Sequence, residues 1–177
     1  MELTSQPEHE QVVSLWIYEE GPFPNSPELP ALVYHRAFEA VSDLAEVIER
    51  TFAKNGWTNG WRDGVYPFHH FHSTAHEVLG CYRGQASLQL GGPGGPRISI
   101  TRGDVLVIPA GVSHCSEATS SDFAVVGCYA NGEQYDMCAG DPEEHDDAVA
   151  RIAKVELPPA DPVHGYSGPL LQYWKAH

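Results

Sequence analysis

The sequence is short of positive charge. Ten lysines and arginines stand against 24 aspartates and glutamates, so the formal net charge is −14 with histidine neutral. Phosphate backbones and anionic lipid heads repel such a chain, and nucleic acid is not an expected partner. No apolar run approaches the ~20 residues that span a bilayer, so no membrane partner is expected either. The N-terminus, MELTSQPEHEQVVSLW, lacks the basic region and long apolar core of a secretory signal, which points to a cytoplasmic protein. There is no C-x-x-C pair: Cys81, Cys115, Cys128 and Cys138 are spaced 34, 13 and 10 apart. Zinc ribbons and thioredoxin-type motifs drop out, and the four thiols read as small buried hydrophobes of a reducing compartment. No internal repeat of useful length is present, and 177 residues is the length of a single domain, 1–177.

What is present is unevenly placed. Residues 1–50 hold ten acids and two bases, residues 51–131 five of each, and residues 132–177 nine acids and three bases. The neutral middle also carries His69, His70, His72 and His76 within eight residues, and 11 of the 17 glycines fall between Gly56 and Gly111. A histidine-bearing, glycine-punctuated core lies between acidic flanks.

Gln11–Tyr18 and Ala31–His35 are rich in β-branched and aromatic residues and read as strands, with the proline-rich 21–30 stretch between them as irregular loop. From Phe38, apolar residues recur at helical spacing through Phe52, and Asn55-Gly56 is a suitable stop. Trp57 and Trp61 flank an expected turn at Thr58-Asn59-Gly60. Short strands then follow at about Val65–His72, Glu77–Arg83, Ala86–Leu90, Arg97–Thr101, Val105–Ile108, Val112–Ala118 and Phe123–Ala130, the pattern of an all-β barrel or sandwich. A second helix is expected from Asp141, with Pro142 at its first position, to about Val155; the proline-rich tail beyond it reads as an irregular surface wrap.

His70 and His72, two apart on an expected strand, project to one face about 6.6 Å apart at Cα, close enough to share an ion. Glu77, at the start of the next strand, can return a carboxylate toward them, and His114 follows the turn Pro109-Ala110-Gly111. Two histidines and a carboxylate suit a divalent ion that keeps positions open for substrate. Spacing alone leaves open whether these side chains bind metal or are ordinary core and surface residues.

Residues 64–118 resemble the two sequence motifs of the cupin superfamily. Gly64, His70, His72, Glu77 and Gly84 match the first motif, and Gly103, Pro109, Gly111 and His114 the second. The wider chain is similar end to end to the small bacterial YjlB-like cupins. This resemblance implies a jelly-roll β-barrel with one N-terminal and one short C-terminal helix, its core at 64–130 between a strand and helix extension (1–63) and a helix and tail (131–177). It also implies His70, His72, Glu77 and His114 as metal ligands. Ala118 stands where superfamily members commonly carry a non-liganding Asn.

Parity fills in the surroundings. If Glu77 points inward, so do Leu79 and Cys81, and His70 brings Tyr66 and Phe68, while His114 brings Ser116. Tyr66 can orient a substrate oxygen or act beside Glu77 in acid-base chemistry, and Cys81 can be a thiol near the ion; ordinary lining is the alternative for each. His76 is a further candidate contact, whereas His69 points away. Arg62, Arg83 and Arg102 are candidate anion clamps by chemistry only.

Three imidazoles and one carboxylate around a divalent ion give a net charge near +1, which polarises a carbonyl, enolate or water. Fe, Mn, Ni and Zn are all compatible. The expectation is a metal-dependent enzyme of dioxygenase or isomerase type acting on a small, oxygen-bearing, anionic metabolite; a non-catalytic sensor, carrier or partner cupin is the alternative. Glu77 argues against the thiol dioxygenase branch, which binds iron through three histidines only. An extended sheet edge also suggests a homodimer.

Overall fold

The computed structural model describes residues 10–175. Residues 1–9, on which most of the case against a secretory signal rests, lie outside the described residues. Among the described residues, nine strands form two antiparallel sheets: β1 (Gln11–Ile17), β2 (Ser26–His35), β3 (Trp57–Asp63), β4 (Glu77–Arg83), β5 (Gln85–Leu90), β6 (Arg97–Thr101), β7 (Val105–Ile108), β8 (His114–Thr119) and β9 (Ala124–Ala130). One sheet has six strands in the order β1-β2-β7-β4-β9-β3, the other three in the order β6-β5-β8. No helix among the described residues is long and apolar enough to cross a membrane.

Side-chain alternation along the six-stranded sheet separates two cores. Ala31, Val33, Leu79, Cys81, Leu106, Ile108 and Val125 face the three-stranded sheet and fill the barrel with Leu88, Leu90 and Ile100. Leu32, Tyr34, Val78, Val105, Val107, Val126 and Cys128 face the other way, against helix α1 (Leu44–Lys54) through its buried Leu44, Ile48 and Phe52. The helix comes so close that a Cβ at Gly80 would stand 2.7 Å from Ile48 Cγ2.

Several expected boundaries moved. Strand β2 begins at Ser26, inside the stretch read as irregular, because a β-bulge between Leu15 and Ile17 lets Ile17 pair with Ser26. Trp57–Asp63 is a strand rather than a turn; Asn59 at φ 60° absorbs the irregular register between Thr58 and Trp61. Helix α1 starts at Leu44, not Phe38. The residues before it bond outward: Phe38 N donates to Gly103 O, and the Arg102 guanidinium to Val41 O.

The C-terminal helix is a single 3-10 turn at Pro142–Glu144, capped by the Asp141 side chain, running into α2 (His145–Ile152). The tail is not a surface wrap. Its short helix α3 (Leu170–Tyr173) puts Leu170 and Trp174 into the α1 core. Asp161, fully buried, accepts hydrogen bonds from the Tyr34 hydroxyl and from the backbone of Val163, His164 and Leu170.

Candidate metal centre

Residues 65–72 do not form a strand; Pro67 lacks the N–H that a ladder needs. The segment is nevertheless extended where it matters. His70 exchanges both backbone hydrogen bonds with His114, Gly111 N donates to His72 O, and Phe71 exchanges both of its bonds with Cys138 on the other edge. Period-2 geometry therefore survives: Phe71 packs outward with Phe23 and Cys138, while His70 and His72 turn inward. The turn carrying His114 depends on Gly111 at φ 95°, where a Cβ would meet Asn25 O at 2.5 Å.

The structure brings His70, His72, His114 and Glu77 together at one mouth of the barrel. One ring nitrogen from each buried histidine lies within 4.8 Å of those of the other two, an arrangement that can hold a metal ion. Glu77 Oε2 is 2.8 Å from His72 Nε2 and 3.4 Å from His114 Nε2. The far nitrogens fix the tautomers. Nδ1 of His70, His72 and His114 faces the main-chain oxygens of Phe68, Asp136 and Val112 respectively, and a carbonyl only accepts. Each Nδ1 thus carries its proton, and in the neutral rings the three Nε2 lone pairs are left facing inward.

That leaves an electrostatic demand. Glu77 is 2% exposed, and the polar groups facing its Oε2 are the Nε2 atoms of His72 and His114. Burial alone would raise the Glu77 carboxyl, but His72 and His114 override it and hold it well below the usual carboxylate range. Burial likewise works to lower His72, yet Glu77 dominates and raises it. Burial, with His114 alongside, pushes His70 down to about 3. An inward-facing set of nitrogen lone pairs around a buried carboxylate calls for a cation, and the donor set of three imidazoles and a carboxylate fits a divalent transition ion.

The supporting contacts come from a loop that sequence reasoning missed. Asp136 presents its carbonyl to His72, and its carboxylate accepts from the backbone N–H and hydroxyl of Ser73. Arg151 of α2 donates to Ser73 Oγ and lies 3.5 Å from the Asp136 carboxylate, so the helix braces the loop that orients His72.

Other candidates are sorted by parity and packing. Tyr66 and Leu79 line a cavity of about 440 Å³ above the histidines, with Trp61, Tyr129, Tyr135 and Met137. Phe68 stacks on Tyr66 outside the lining. Ser116 donates to Val65 O instead of facing the cavity. Cys81 is in the barrel core below the site; burial pushes its thiol up to about 12, so it is no activated nucleophile. His76, just before β4, turns away from Glu77: its Nδ1 accepts from Ala110 N and its ring packs on Trp174. His69 packs on Phe23, also away from the cavity. Arg62 reaches the cavity edge but is paired with Glu49; Arg83 lies over Tyr82 and Arg102 binds Val41 O. Tyr129 was legible in principle, because it pairs directly across from Glu77 and so shares its face. Trp61 reaches the cavity by lying on Gly127, and its indole N–H donates to the Tyr129 hydroxyl.

Two antiparallel sheets closed around an apolar core, with three histidines and a glutamate at one mouth, define a cupin, and the chain belongs to the cupin family. Residues 62–138 match the family model described as Cupin. Over 156 residues the chain is 42% identical to the uncharacterized protein YjlB of Bacillus subtilis (strain 168), covering 88% of this chain and 92% of that one, which places it among the bacterial YjlB-like cupins. Solved structures similar to it include the acireductone dioxygenase from Bacillus anthracis with a cadmium ion in its active center (17% identity, TM-score 0.36). The DMSP lyase DddQ from Ruegeria pomeroyi is another (20% identity, TM-score 0.37). The matches cover 51% and 76% of this chain, and 60% and 53% of those two.

Proposed function

We propose that this cupin is a metal-dependent enzyme, of dioxygenase or isomerase type, in which His70, His72, His114 and Glu77 hold a divalent transition ion and a small oxygen-bearing metabolite is the substrate. One observation carries the reading: ring nitrogens of three buried histidines converge within 4.8 Å of one another beside the buried Glu77 carboxylate. An ion held there would supply Lewis acidity, polarising a carbonyl or phenolic oxygen. The chain's own part is to fix the donors through the carbonyls of Phe68, Asp136 and Val112, and to line the approach with apolar and aromatic walls. Tyr66, in the cavity wall beside His70, is placed to orient a substrate oxygen. Four free, buried thiols accord with a cytoplasmic protein, and β1, at the edge of its sheet, offers a strand for pairing with a second copy.

The test is metal analysis of protein purified without added metal, followed by oxygen uptake and product analysis with diols, β-diketones and hydroxy acids. The expected result is a stoichiometric first-row ion that His72→Ala loses together with turnover. Absence of any bound or bindable ion overturns the reading. Ion and ligand binding without turnover in any metal form would instead place the protein among non-catalytic binding cupins.

A further inference from the structure

The cavity over the histidines is walled mainly by rings. Tyr66 stands on the His70 side, with 5.4 Å between ring centroids, and is itself stacked on Phe68. Tyr135 stands on the His72 side at 5.2 Å and is stacked at 4.4 Å on Tyr129. Tyr66, Phe68, Tyr135 and Met137 are 41–56% exposed, an unusual concentration of large apolar side chains around one opening. Charge is scarce by comparison. Among the described lining residues the one Lys or Arg is Arg62, and its guanidinium is engaged by Glu49. An aliphatic dicarboxylate or a phosphate ester would find no free side-chain cation there. Aromatic walls on two sides and a thioether suit a flat arene instead. Four protein donors would leave room on a divalent ion for a ligand with two neighbouring oxygens. A volume of about 440 Å³ lies within the ordinary range of small-molecule pockets, with room beyond a single ring.

We propose that the site takes a planar arene bearing two adjacent ring oxygens, a catechol-type ligand, and that Tyr66 and Tyr135 are the residues that select for the ring. The proposal rests on the metal reading above. It deepens that reading by replacing an anionic metabolite with a ring-bearing one that is neutral in solution.

The experiment compares binding of catechol and of malonate, an aliphatic oxygen chelator, to the zinc- or cobalt-loaded protein. Calorimetry gives the affinities, and quenching of tryptophan emission reports occupancy near Trp61. Catechol is expected to bind more tightly than malonate. Tyr66→Ala with Tyr135→Ala should weaken catechol by about tenfold or more while moving malonate less than about twofold, and the paired Phe variants should restore catechol binding. The single alanine variants give the same comparison if the double variant does not fold. A protein that retains metal but binds malonate as tightly as catechol, or whose catechol affinity ignores both tyrosines, overturns the proposal and leaves the metal reading intact. Failure of the wild-type protein to hold any metal overturns both. Loss of self-association in the alanine variants with catechol affinity unchanged would assign these rings to an interface between copies, and would also overturn it.

Discussion

Replacing Gly127 with alanine would strike the wall of the cavity without touching a metal-site histidine. An ideal Cβ there lies 2.4 Å from both Cε2 and Cζ2 of Trp61, so the indole must withdraw by about 1 Å to reach ordinary carbon–carbon contact. Its 2.9 Å hydrogen bond to the Tyr129 hydroxyl cannot survive that movement. Overpacking costs about 1–3 kcal/mol and the lost bond about 1 kcal/mol, together about 2–4 kcal/mol. For a chain of this size that lowers Tm by about 4–16 °C. Thermal unfolding followed by circular dichroism measures the loss, and tryptophan emission should shift as the indole moves. Repeating Gly127→Ala in a Trp61→Leu background supplies the control, since most of the cost should vanish when the ring is gone. An alanine that costs less than about 0.5 kcal/mol, or the same in both backgrounds, would refute the claim that Gly127 exists to seat Trp61.

Three further outcomes are expected. Asn25 is 1% exposed, and its amide donates to the carbonyls of Tyr18 and Gly91 at 2.9 Å while its oxygen accepts from Ser113 N beside His114. Asn25→Asp sets a buried carboxylate against two carbonyls and should cost about 3 kcal/mol or more in urea unfolding near neutral pH. Asp136→Asn weakens the brace from Arg151 to the loop that orients His72, and calorimetry should find metal affinity lower by about tenfold; unchanged affinity would show that the brace does not tune the site. His164 is raised above its ordinary value by its hydrogen bond to Glu10. The folded state therefore holds that proton more tightly than the unfolded chain. The pair's stabilisation is full below about pH 6.5 and is lost as pH rises through the raised folded value. Stability measured across this range should fall with pH, and His164→Gln should flatten the slope.

Legibility in the sequence followed the physics of each segment. Glu77–Arg83 and Val105–Ile108 fall at their expected boundaries because alternating or continuous apolar runs bounded by turns have few other options in a barrel. Ser26–Pro30 was hidden by its prolines, which a strand tolerates here beside a bulge that no local pattern announces. Spacing and motif made the four residues around the buried cavity readable. The aromatic wall was not, since Tyr135 and Met137 lie in a loop whose docking depends on the Asp136 carboxylate and on Ser73, 63 residues earlier. Trp174 was misjudged because a lone tryptophan in a proline-rich tail carries no periodicity. Its burial is decided by the apolar face that α1 leaves open on the sheet.

That tail sets an order of events for the nascent chain. Tyr34 finds its carboxylate partner 127 residues later, and the carbonyl of Pro30 waits for the indole of Trp174, 144 residues on. The strands β2, β4, β7 and β9 can all emerge and pair while one side of their sheet still lacks Leu170 and Trp174. A chain released before residue 170 would thus display paired strands with an unsealed apolar flank. Such an intermediate is exposed to chaperones and to aggregation until the final helical turn is delivered.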